Sequence, residues 1–356
     1  MRGYAGMVIT MFITLFSVLY MVPLVRTVAH VMSLAIVTTI VSHYLAVWLL
    51  KMLTYKVVPA KGKIVVITRC DSGYGNKLAL ELDKRGFTVV AGCVSRESPG
   101  TQQLKLQGSS NIHLVETDVT QTESLAEFEN QVRALCKDES HLWAVIINLS
   151  VVSLGELEWY DDDDMRWTYE VNVLSVARVA RVFLPLLRQS PYSGRRFVIV
   201  NSVWSRMAMP GTGPYCMSKY AVRCFTEVLR RELLKFGIYV VAIEPNLYRL
   251  PQTEPSSLLK SYKYMWDKLP DETKDLYSRS YGDEMEANIR NIIVKEPDPV
   301  VREVAKKMLD SVQTAYPSRL YQPDQLTRKI LYVGFRLLPD EITDFWLTEI
   351  SGLMKA

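Results

Sequence analysis

The chain has 356 residues, of which 49% are hydrophobic, and 42 Lys and Arg against 38 Asp and Glu give a formal net charge of +4. This length accommodates one large domain with an appendage, and the charge is too small to indicate a nucleic-acid partner. Five cysteines, an odd number without a CxxC pair, argue against a disulfide framework, and four histidines without metal-ligand spacing argue against a metal site.

Two uncharged apolar stretches, residues 7–25 and 31–50, lie at the N-terminal end of the chain. Each is about as long as the roughly 20 helical residues that cross a bilayer. We therefore predict a membrane anchor over residues 1–52, built as a hairpin of two transmembrane helices. A secretory signal peptide, or one span followed by an interfacial helix, is the alternative.

The distribution of basic residues predicts the orientation of this anchor. Only Arg26 and His30 are basic between the two stretches. Four lysines follow the second stretch, namely Lys51, Lys56, Lys61 and Lys63. Basic residues concentrate on the cytoplasmic side of a membrane. We therefore expect the large domain, residues 62–356, to face the cytosol after a linker at residues 53–61. The membrane is expected to be that of the endoplasmic reticulum.

From residue 61 onward, apolar runs of strand length alternate with helix-length segments such as 121–137 and 215–236. The runs are residues 64–68, 87–93, 112–117, 142–149, 196–202 and 238–245. Continuous apolar runs indicate strands that are buried on both faces, so we predict a doubly wound α/β fold with a parallel sheet, a Rossmann fold. The acidic run 161–164 is expected to begin a helix rather than to bind a metal.

The stretch VVITRCDSGYGNKLA, residues 65–79, has the order of a nucleotide-binding turn: a buried strand, a glycine-containing loop and a helix. Gly73 and Gly75 would let the backbone approach a pyrophosphate at the helix N-terminus. Arg69, however, stands where the first glycine of such a turn is expected. We expect its side chain to turn outward toward the adenosine ribose and to favour NADP(H), although it could instead fill the cofactor's place.

Polar residues follow other strands, where ligands of doubly wound sheets bind. Asp118 follows the third run, as a contact for adenine or as a helix cap. Ser202 ends the fifth run, and Tyr215 and Lys219 follow it at a spacing that places both on one helical face. A second Tyr-x-x-x-Lys at residues 264–268 shows that the spacing also arises by chance.

The segments CDSGYG, RMAMPGTGPYCMSKYAV (206–222) and MWDKLPDETKDLYSRSYGDE (265–284) resemble the short-chain dehydrogenase/reductases. The similarity is to the branch with 3-hydroxybutyrate dehydrogenase, retinol dehydrogenases and type 2 17β-hydroxysteroid dehydrogenase. It implies a catalytic set of Asn172, Ser202, Tyr215 and Lys219. It also implies NAD or NADP bound by Thr68, Arg69, Asp71, Ser72, Gly73, Tyr74, Gly75, Asp118, Val119, Asn148, Tyr215, Lys219 and Pro245.

In this resemblance Tyr215 exchanges a proton with the substrate oxygen, which requires help because the ordinary pKa of tyrosine is ~10. Lys219 would stabilise the tyrosinate, Ser202 would bind the substrate oxygen, and Asn172 would support a relay water. The alternative is structural: Ser202 caps a strand, Asn172 satisfies backbone groups, and Tyr215 and Lys219 face solvent.

Three departures from the family pattern fall in the cofactor loops. Arg69 replaces the first turn glycine, IINLS (146–150) replaces Asn-Asn-Ala-Gly, and PNLY (245–248) replaces Pro-Gly. Each lost glycine could cost about 1 to 3 kcal/mol if the usual backbone were kept, least at Asn246, since asparagine tolerates left-handed conformations. A catalytically impaired pseudoenzyme that binds a lipid or a protein is therefore the second hypothesis.

The substrate-covering segment is expected at residues 249–290, with a C-terminal extension after it. Its large apolar residues are Leu258, Leu259, Tyr262, Tyr264, Met265, Trp266 and Leu269. This set suits a lipophilic ligand, and the run 330–338 could lie on the membrane or close the pocket. We expect a steroid, either ecdysteroid-type or a hydroxysteroid, or a retinoid, rather than 3-hydroxybutyrate. The resemblance also implies a homodimer.

Overall fold

The computed structural model describes residues 2–137, 139–246, 255–292, 297–324 and 326–347. Two exposed helices precede the main domain, α1 (Arg2–Met21) and α2 (Pro23–Thr54). By length and apolarity, α2 could span a membrane; the other apolar helical stretch found in the described residues, Thr10–Met21, is shorter. The structure thus supplies one candidate span, and the second stays a prediction.

The two helices meet at Val22 rather than in a loop at residues 26–30. Pro23, at the first position of α2, has no N–H to continue α1, whereas nothing between Arg26 and His30 interrupts a helix. The Tyr20 hydroxyl lies 2.9 Å from Nε2 of His30, ten residues along the chain, so the helices fold back toward each other. Arg26 and His30, which separate the two apolar stretches of the sequence, therefore lie inside α2.

The main domain contains a seven-stranded sheet in the order β3-β2-β1-β4-β5-β6-β7, with every adjacent pair parallel. Its strands are β1 (Lys63–Ile67), β2 (Thr88–Cys93), β3 (Ile112–Glu116), β4 (His141–Ile147), β5 (Arg196–Val200), β6 (Tyr239–Ile243) and β7 (Leu320–Tyr321). The predicted doubly wound parallel sheet is confirmed. The order reverses between β1 and β4, and a ligand of such a sheet binds at that point, beyond the carboxyl ends of the strands.

Helices cover both faces of the sheet. One face packs against α3 (Gly73–Lys84), α4 (Pro99–Gln107) and α11 (Pro297–Gln313), and the other against α5 (Thr122–Leu135), α7 (Ser175–Gln189) and α8 (Gly213–Leu233). The other helices of the domain are α6 (Asp162–Tyr169), α9 (Pro255–Asp267), α10 (Asp271–Ile292), α12 (Leu326–Leu337) and α13 (Asp340–Phe345). Successive β1 residues point to opposite faces, so Val65 packs in the core with α3 and α11, and Val66 packs in the core with α5, α7 and α8.

Two backbone hydrogen bonds fix the linker between α2 and β1 to the main domain. The predicted linker is extended after α2, where the Val58 N–H donates to the Gln313 carbonyl at 2.8 Å and the Ala315 N–H donates to the Lys56 carbonyl at 2.8 Å.

The acidic run 161–164 begins α6 as predicted, with Asp161 and Asp164 forming a capping box.

Candidate active site

Arg69 is the one non-glycine residue with positive φ in the described part of the chain, at 55°. It follows Thr68, the residue after β1. The backbone at Arg69 thus has the left-handed conformation for which glycine is normally used. The Arg69 side chain adds a steric cost of roughly 1 kcal/mol to this conformation. Asn246, by contrast, does not have positive φ, so its tolerance of left-handed backbone is not used.

The Arg69 side chain does not turn outward. Its guanidinium donates to the backbone carbonyl of Ser150, which lies in the loop after β4. Because β2 and β4 flank β1 on opposite sides, this direction leads away from the β2 end, where the adenosine ribose was expected. In this structure the guanidinium does not face the place expected for a 2′-phosphate, and the preference for NADP(H) stays a prediction. Burial lowers the pKa of Arg69, and the Asp71 carboxylate opposes that effect.

The turn after Arg69 leaves the N-terminus of α3 open. Ser72 occupies the N-cap position without a side-chain capping bond, and Gly73 has a φ of 62°. A Cβ on Gly75 would lie 2.5 Å from the Arg69 carbonyl oxygen, so only glycine permits this close approach. Free N–H groups at a helix N-terminus form a ready site for an anion such as a phosphate. Tyr74 is buried under this turn, in the core.

Asn148 joins the loops after β1 and β4. Its backbone N–H donates to the Thr68 hydroxyl at 2.9 Å, and its side-chain amide donates to the Arg69 carbonyl at 3.2 Å. Thr68 and Asn148 thus hold the loop after β1 and the loop after β4 at a fixed distance from each other, across the cleft between them. A buried Asp71 carboxylate oxygen beside this cleft has no hydrogen-bond partner among the described residues.

Asp118 and Val119 follow β3, farther from this cleft. Asp118 is exposed and accepts from the Thr120 N–H at 2.9 Å and the Thr120 hydroxyl at 2.7 Å, so it stabilises a turn before α5. Val119 packs against the core on the α5 face. Their predicted role toward adenine stays a prediction.

The four predicted catalytic residues are all buried. Tyr215 and Lys219 lie on α8, and the Lys219 Nζ is 5.4 Å from the centre of the Tyr215 ring. Ser202 follows β5 and lies close enough to Tyr215 to influence its ionisation. Of the structural alternative, the solvent-facing position of Tyr215 and Lys219 is wrong, whereas the Ser202 hydroxyl does accept from the Trp204 N–H and Asn172 does bond backbone groups.

The electrostatic state of this group differs from the expected one. Burial raises the pKa of Tyr215 to about 12, and the nearby hydroxyls of Ser202 and Ser150 oppose that effect. Burial, and then the nearby Arg69 guanidinium, lower the pKa of Lys219 to about 7. Lys219 donates only a long 3.4 Å bond to the Leu149 carbonyl. Near neutrality Lys219 is thus partly uncharged, which weakens its predicted stabilisation of a tyrosinate.

Asn172 lies in a π-helical segment, Glu170–Leu174, between α6 and α7. Its side-chain oxygen accepts from the Val151 N–H at 2.8 Å, and its amide donates at 3.0 Å to the Val151 carbonyl and to the Ser218 hydroxyl. Asn172 therefore fixes the loop after β4 against α8. A π segment is frequent at functional sites because it redirects one side chain. The relay water assigned to Asn172 stays a prediction.

Sequence reasoning missed several residues of the site. Ser150 contributes both a carbonyl to Arg69 and a hydroxyl beside Tyr215. Trp204 packs edge-on against the Tyr215 ring at 5.8 Å between centroids. Asn201 donates to the Lys219 carbonyl at 3.2 Å, and its side-chain oxygen has no partner among the described residues. Its place directly after β5 could have drawn attention to it, as the place of Ser202 did.

The loop after β6 begins at Pro245, whose carbonyl accepts from the Val203 N–H at 3.0 Å. Asn246 follows and donates to the Tyr332 hydroxyl of α12 at 2.8 Å. The next residues, 247–254, which include part of the predicted substrate-covering segment, lie outside the described residues. Pro245 and Asn246 therefore connect the Ser202 loop to a helix far along the chain.

An apolar cluster covers the Tyr215 side of the site. Trp159 lies at its centre, with ring centroids at 5.3 Å from Trp266 and 5.6 Å from Tyr262. Of the segment expected to cover a substrate, the residues buried in this cluster are Leu258, Leu259, Tyr262, Met265 and Leu269, with Trp266 partly buried. Tyr264 is exposed, and Lys268 pairs with Asp161 and Asp164, so the second Tyr-x-x-x-Lys is structural.

The residues present fit a nicotinamide dinucleotide. The open N-terminus of α3 and the close backbone approach at Gly75 suit a pyrophosphate. Asp71, in the loop after β1, and Asn201, after β5, each have a buried oxygen without a partner among the described residues, and Asn201 bonds the Lys219 carbonyl. All five cysteines are free, and burial raises the pKa of Cys70 and of Cys93, which lie at the ends of β1 and β2.

Comparison with known proteins gives several matches of high coverage. Human short-chain dehydrogenase/reductase family 9C member 7 is 34% identical over 287 residues, which cover 80% of this chain and 89% of that protein. Mouse retinol dehydrogenase 5 is 32% identical (85% and 92% covered), and human 17-beta-hydroxysteroid dehydrogenase type 6 is 32% identical (80% and 88% covered).

Solved structures show the same fold. A short-chain dehydrogenase/reductase from Burkholderia phymatum in complex with NAD has a TM-score of 0.64 at 21% identity, covering 80% of this chain and 96% of that chain. One from Burkholderia cenocepacia J2315 in complex with NADP has a TM-score of 0.56 at 19% identity, covering 81% and 98%. Residues 63–257 match the family model described as short chain dehydrogenase. This chain therefore belongs to the short-chain dehydrogenase family and is an NAD(P)-dependent oxidoreductase.

Proposed function

We propose that the protein is a membrane-anchored dehydrogenase that interconverts a lipophilic alcohol and its carbonyl form, of the hydroxysteroid or retinoid class. The observation that carries this proposal is the apolar and aromatic cluster centred on Trp159, which packs directly beside Tyr215. Such a wall favours a large apolar substrate over a small acid. The names of the relatives support the same class, within which an ecdysteroid is one member.

In the reaction, the nicotinamide when bound accepts or supplies the hydride. Tyr215 gives a proton to, or takes one from, the substrate oxygen, and the Ser202 hydroxyl orients that oxygen beside it. The Ser150 and Ser202 hydroxyls lie near the Tyr215 hydroxyl and oppose the effect of burial on its pKa. Tyr215 is buried among the apolar residues of the Trp159 cluster, so the charges and dipoles beside its hydroxyl act in a medium of low dielectric constant.

We further infer that α2 anchors the enzyme in the endoplasmic reticulum membrane with the main domain in the cytosol. Lys51 lies in the last turn of α2, and Lys56, Lys61 and Lys63 follow it, which is the distribution expected on the cytosolic side. Exposed apolar side chains on α8, Met217, Tyr220 and Val228, are consistent with a homodimer.

The test uses the full chain in detergent micelles with a retinol and a hydroxysteroid as substrates. Tyr215→Phe should lower kcat by about 100-fold or more, because it removes the proton-transfer hydroxyl, and should leave NADH affinity nearly unchanged. Tyr264→Phe is the matched control: it alters the exposed tyrosine of the second Tyr-x-x-x-Lys and should have little effect. Near-normal turnover by Tyr215→Phe would refute the assigned role. Failure of NADH and NADPH to bind at millimolar concentration would support the pseudoenzyme instead.

A further inference from the structure

A second cavity, of about 510 Å³, lies against the C-terminal half of α8 and the β6–β7 edge of the sheet, and Asn201, next to Ser202, forms part of its wall. Its wall is strongly basic. The charged residues that line it are Arg206, Arg223, Arg230, Arg231, Arg319, Glu227 and Glu244. Five guanidinium groups against two carboxylates leave an excess of three positive charges.

The two carboxylates are already engaged by arginines. Glu244 is buried and accepts from Arg206 Nε at 2.5 Å, and Glu227 lies 3.3 Å from both Arg223 and Arg231. Within the residues that the structure describes, Arg230 and Arg319 have no carboxylate partner. Guanidinium groups bind phosphate oxygens through paired charge-assisted hydrogen bonds. The cavity therefore suits a phosphate group.

The position of the cavity indicates where that phosphate comes from. Tyr44 of α2 and Tyr332 and Val333 of α12 form part of its wall. Val333 is exposed, as are Ile330 and Leu337 on the same helix, so α12 presents an apolar surface beside the cavity. A ligand in this cavity thus touches the helix that we propose to span the membrane.

An adjoining cavity of about 360 Å³ extends the basic surface along the end of α2. Leu320 and Gln322 line both cavities. The charged residues of the smaller one are Lys51, Lys56, Lys307, Lys329 and Asp310. Basic side chains at the cytosolic end of a span attract anionic lipids, and each contributes measurably within a few ångströms of the surface.

We propose that the arginine-lined cavity binds the phosphate of an anionic phospholipid headgroup, with its acyl chains lying along α2 and α12. This proposal rests on α2 being a membrane span. The bound lipid would fix the height of the main domain above the bilayer. It would also contact Tyr332, whose hydroxyl bonds Asn246 in the loop that follows β6.

The experiment reconstitutes the full chain in nanodiscs of phosphatidylcholine alone or with about 20% phosphatidylserine, and counts retained lipids by native mass spectrometry after detergent release. We expect retention of phosphatidylserine but not of phosphatidylcholine. The double variant Arg230→Gln, Arg319→Gln should retain phosphatidylserine about tenfold less well. The control Lys84→Gln, Arg85→Gln removes two charges at the end of α3 and should retain it normally.

Equal retention by the double variant, or equal retention of both lipids, would overturn the proposal. Displacement of the lipid by millimolar inorganic phosphate would also overturn it, because the site would then serve a soluble phosphate. Alkaline carbonate extraction of microsomes that carry the same variants separates this result from the proposed anchoring. A protein that resists extraction but shows no lipid selectivity refutes only the cavity, whereas one that is extracted refutes the span.

Discussion

Arg69 places a positively charged side chain and a left-handed backbone at the same position in the cofactor cleft. The backbone conformation is the one that glycine adopts without steric cost. The guanidinium bridges the loops after β1 and β4 by donating to the Ser150 carbonyl, and it lowers the pKa of Lys219. Any polar ligand that enters between these loops competes with that contact.

We expect Arg69→Gly to bind NADH and NADPH more tightly, each by about tenfold, because the bridge no longer has to be broken. The variant should also be more stable by roughly 1 kcal/mol, since the strained Cβ is gone. Fluorescence titration and thermal melting of the full chain measure both effects. Arg69→Ala removes the guanidinium but keeps the Cβ, so it should share only the first gain. A selective loss of NADPH affinity in Arg69→Gly would restore the 2′-phosphate role.

Lys219 should make the stability of the free enzyme depend on pH. Its pKa is about 7 in the folded state and 10.5 in the unfolded chain, so between these values the unfolded chain binds more protons. The free energy of unfolding therefore rises as pH increases from about 7 toward 10, by at most about 1.4 kcal/mol per unit. The raised pKa of Tyr215 acts in the opposite direction only above pH 10.

Lys219→Met should flatten this pH dependence, as measured by denaturant unfolding of the cofactor-free full chain in detergent from about pH 7 to about pH 9. Lys84→Met, at an exposed site, should keep the wild-type slope. Parallel curves for Lys219→Met and wild type would show that Lys219 stays charged in the folded protein.

The sequence indicated the convergence of Ser202, Tyr215 and Lys219 because strand ends meet at one edge of a parallel sheet. It could not indicate the direction of the Arg69 side chain. The backbone fixes only the direction of the Cα–Cβ bond, and the position of the guanidinium depends on which carbonyl oxygen lies close enough to accept its hydrogen bond. Ser150 was missed for the same reason. Its carbonyl became an acceptor only when β4 packed beside β1.

Among the secondary-structure elements, those with strong hydrophobic periodicity were predictable. Six apolar runs became β1 to β6 within a few residues of the predicted ends. β7 was missed because two residues, Leu320 and Tyr321, carry no periodicity and pair only through contact with β6. The π segment at Glu170–Leu174 was likewise invisible, since it depends on the pairing of Asn172 with Val151.

The apolar run 330–338 was expected either to lie on the membrane or to close the pocket, and α12, which contains most of this run, has a side suited to each. Tyr332 is buried and bonds Asn246 and Asp324, whereas Ile330, Val333 and Leu337 are exposed. The helix thus has one side on the main domain and another that is open and apolar. The contact with Tyr332 also accounts for Asn246 at a position where the family usually has glycine, because glycine has no side chain to make that bond.

For the whole molecule, removal of residues 1–52 should release a folded domain from membranes. The remaining chain keeps Lys56 and Val58, which pair with the end of α11, so the sheet is not disturbed. Cell fractionation followed by alkaline carbonate and high-salt washes measures the release. Because the arginines of the second cavity stay, together with Lys56, Lys307 and Lys329 of the adjoining cavity, we expect some binding that high salt removes. Binding that resists carbonate would assign the anchor to the main domain instead.

The orientation of the main domain has its own measurement. Protease added outside sealed microsomes should digest residues 62–356 of the full chain if they face the cytosol. Protection of this domain until detergent is added would place it in the lumen and would contradict the distribution of lysines after α2.

The thiols of Cys70, after β1, and Cys93, at the end of β2, can report how often the cofactor turn opens. Cys70 and Cys93 are buried and resist alkylation because burial disfavours their thiolates, whereas Cys224 on α8 is exposed. A maleimide added to the native chain thus modifies exposed Cys224 at once, and also reaches partly buried Cys136, so peptide mapping is used to follow Cys70 and Cys93, which react only as the turn opens. The delay between the two events gives the lifetime of the closed turn, with Cys224 as the internal standard and without any introduced label.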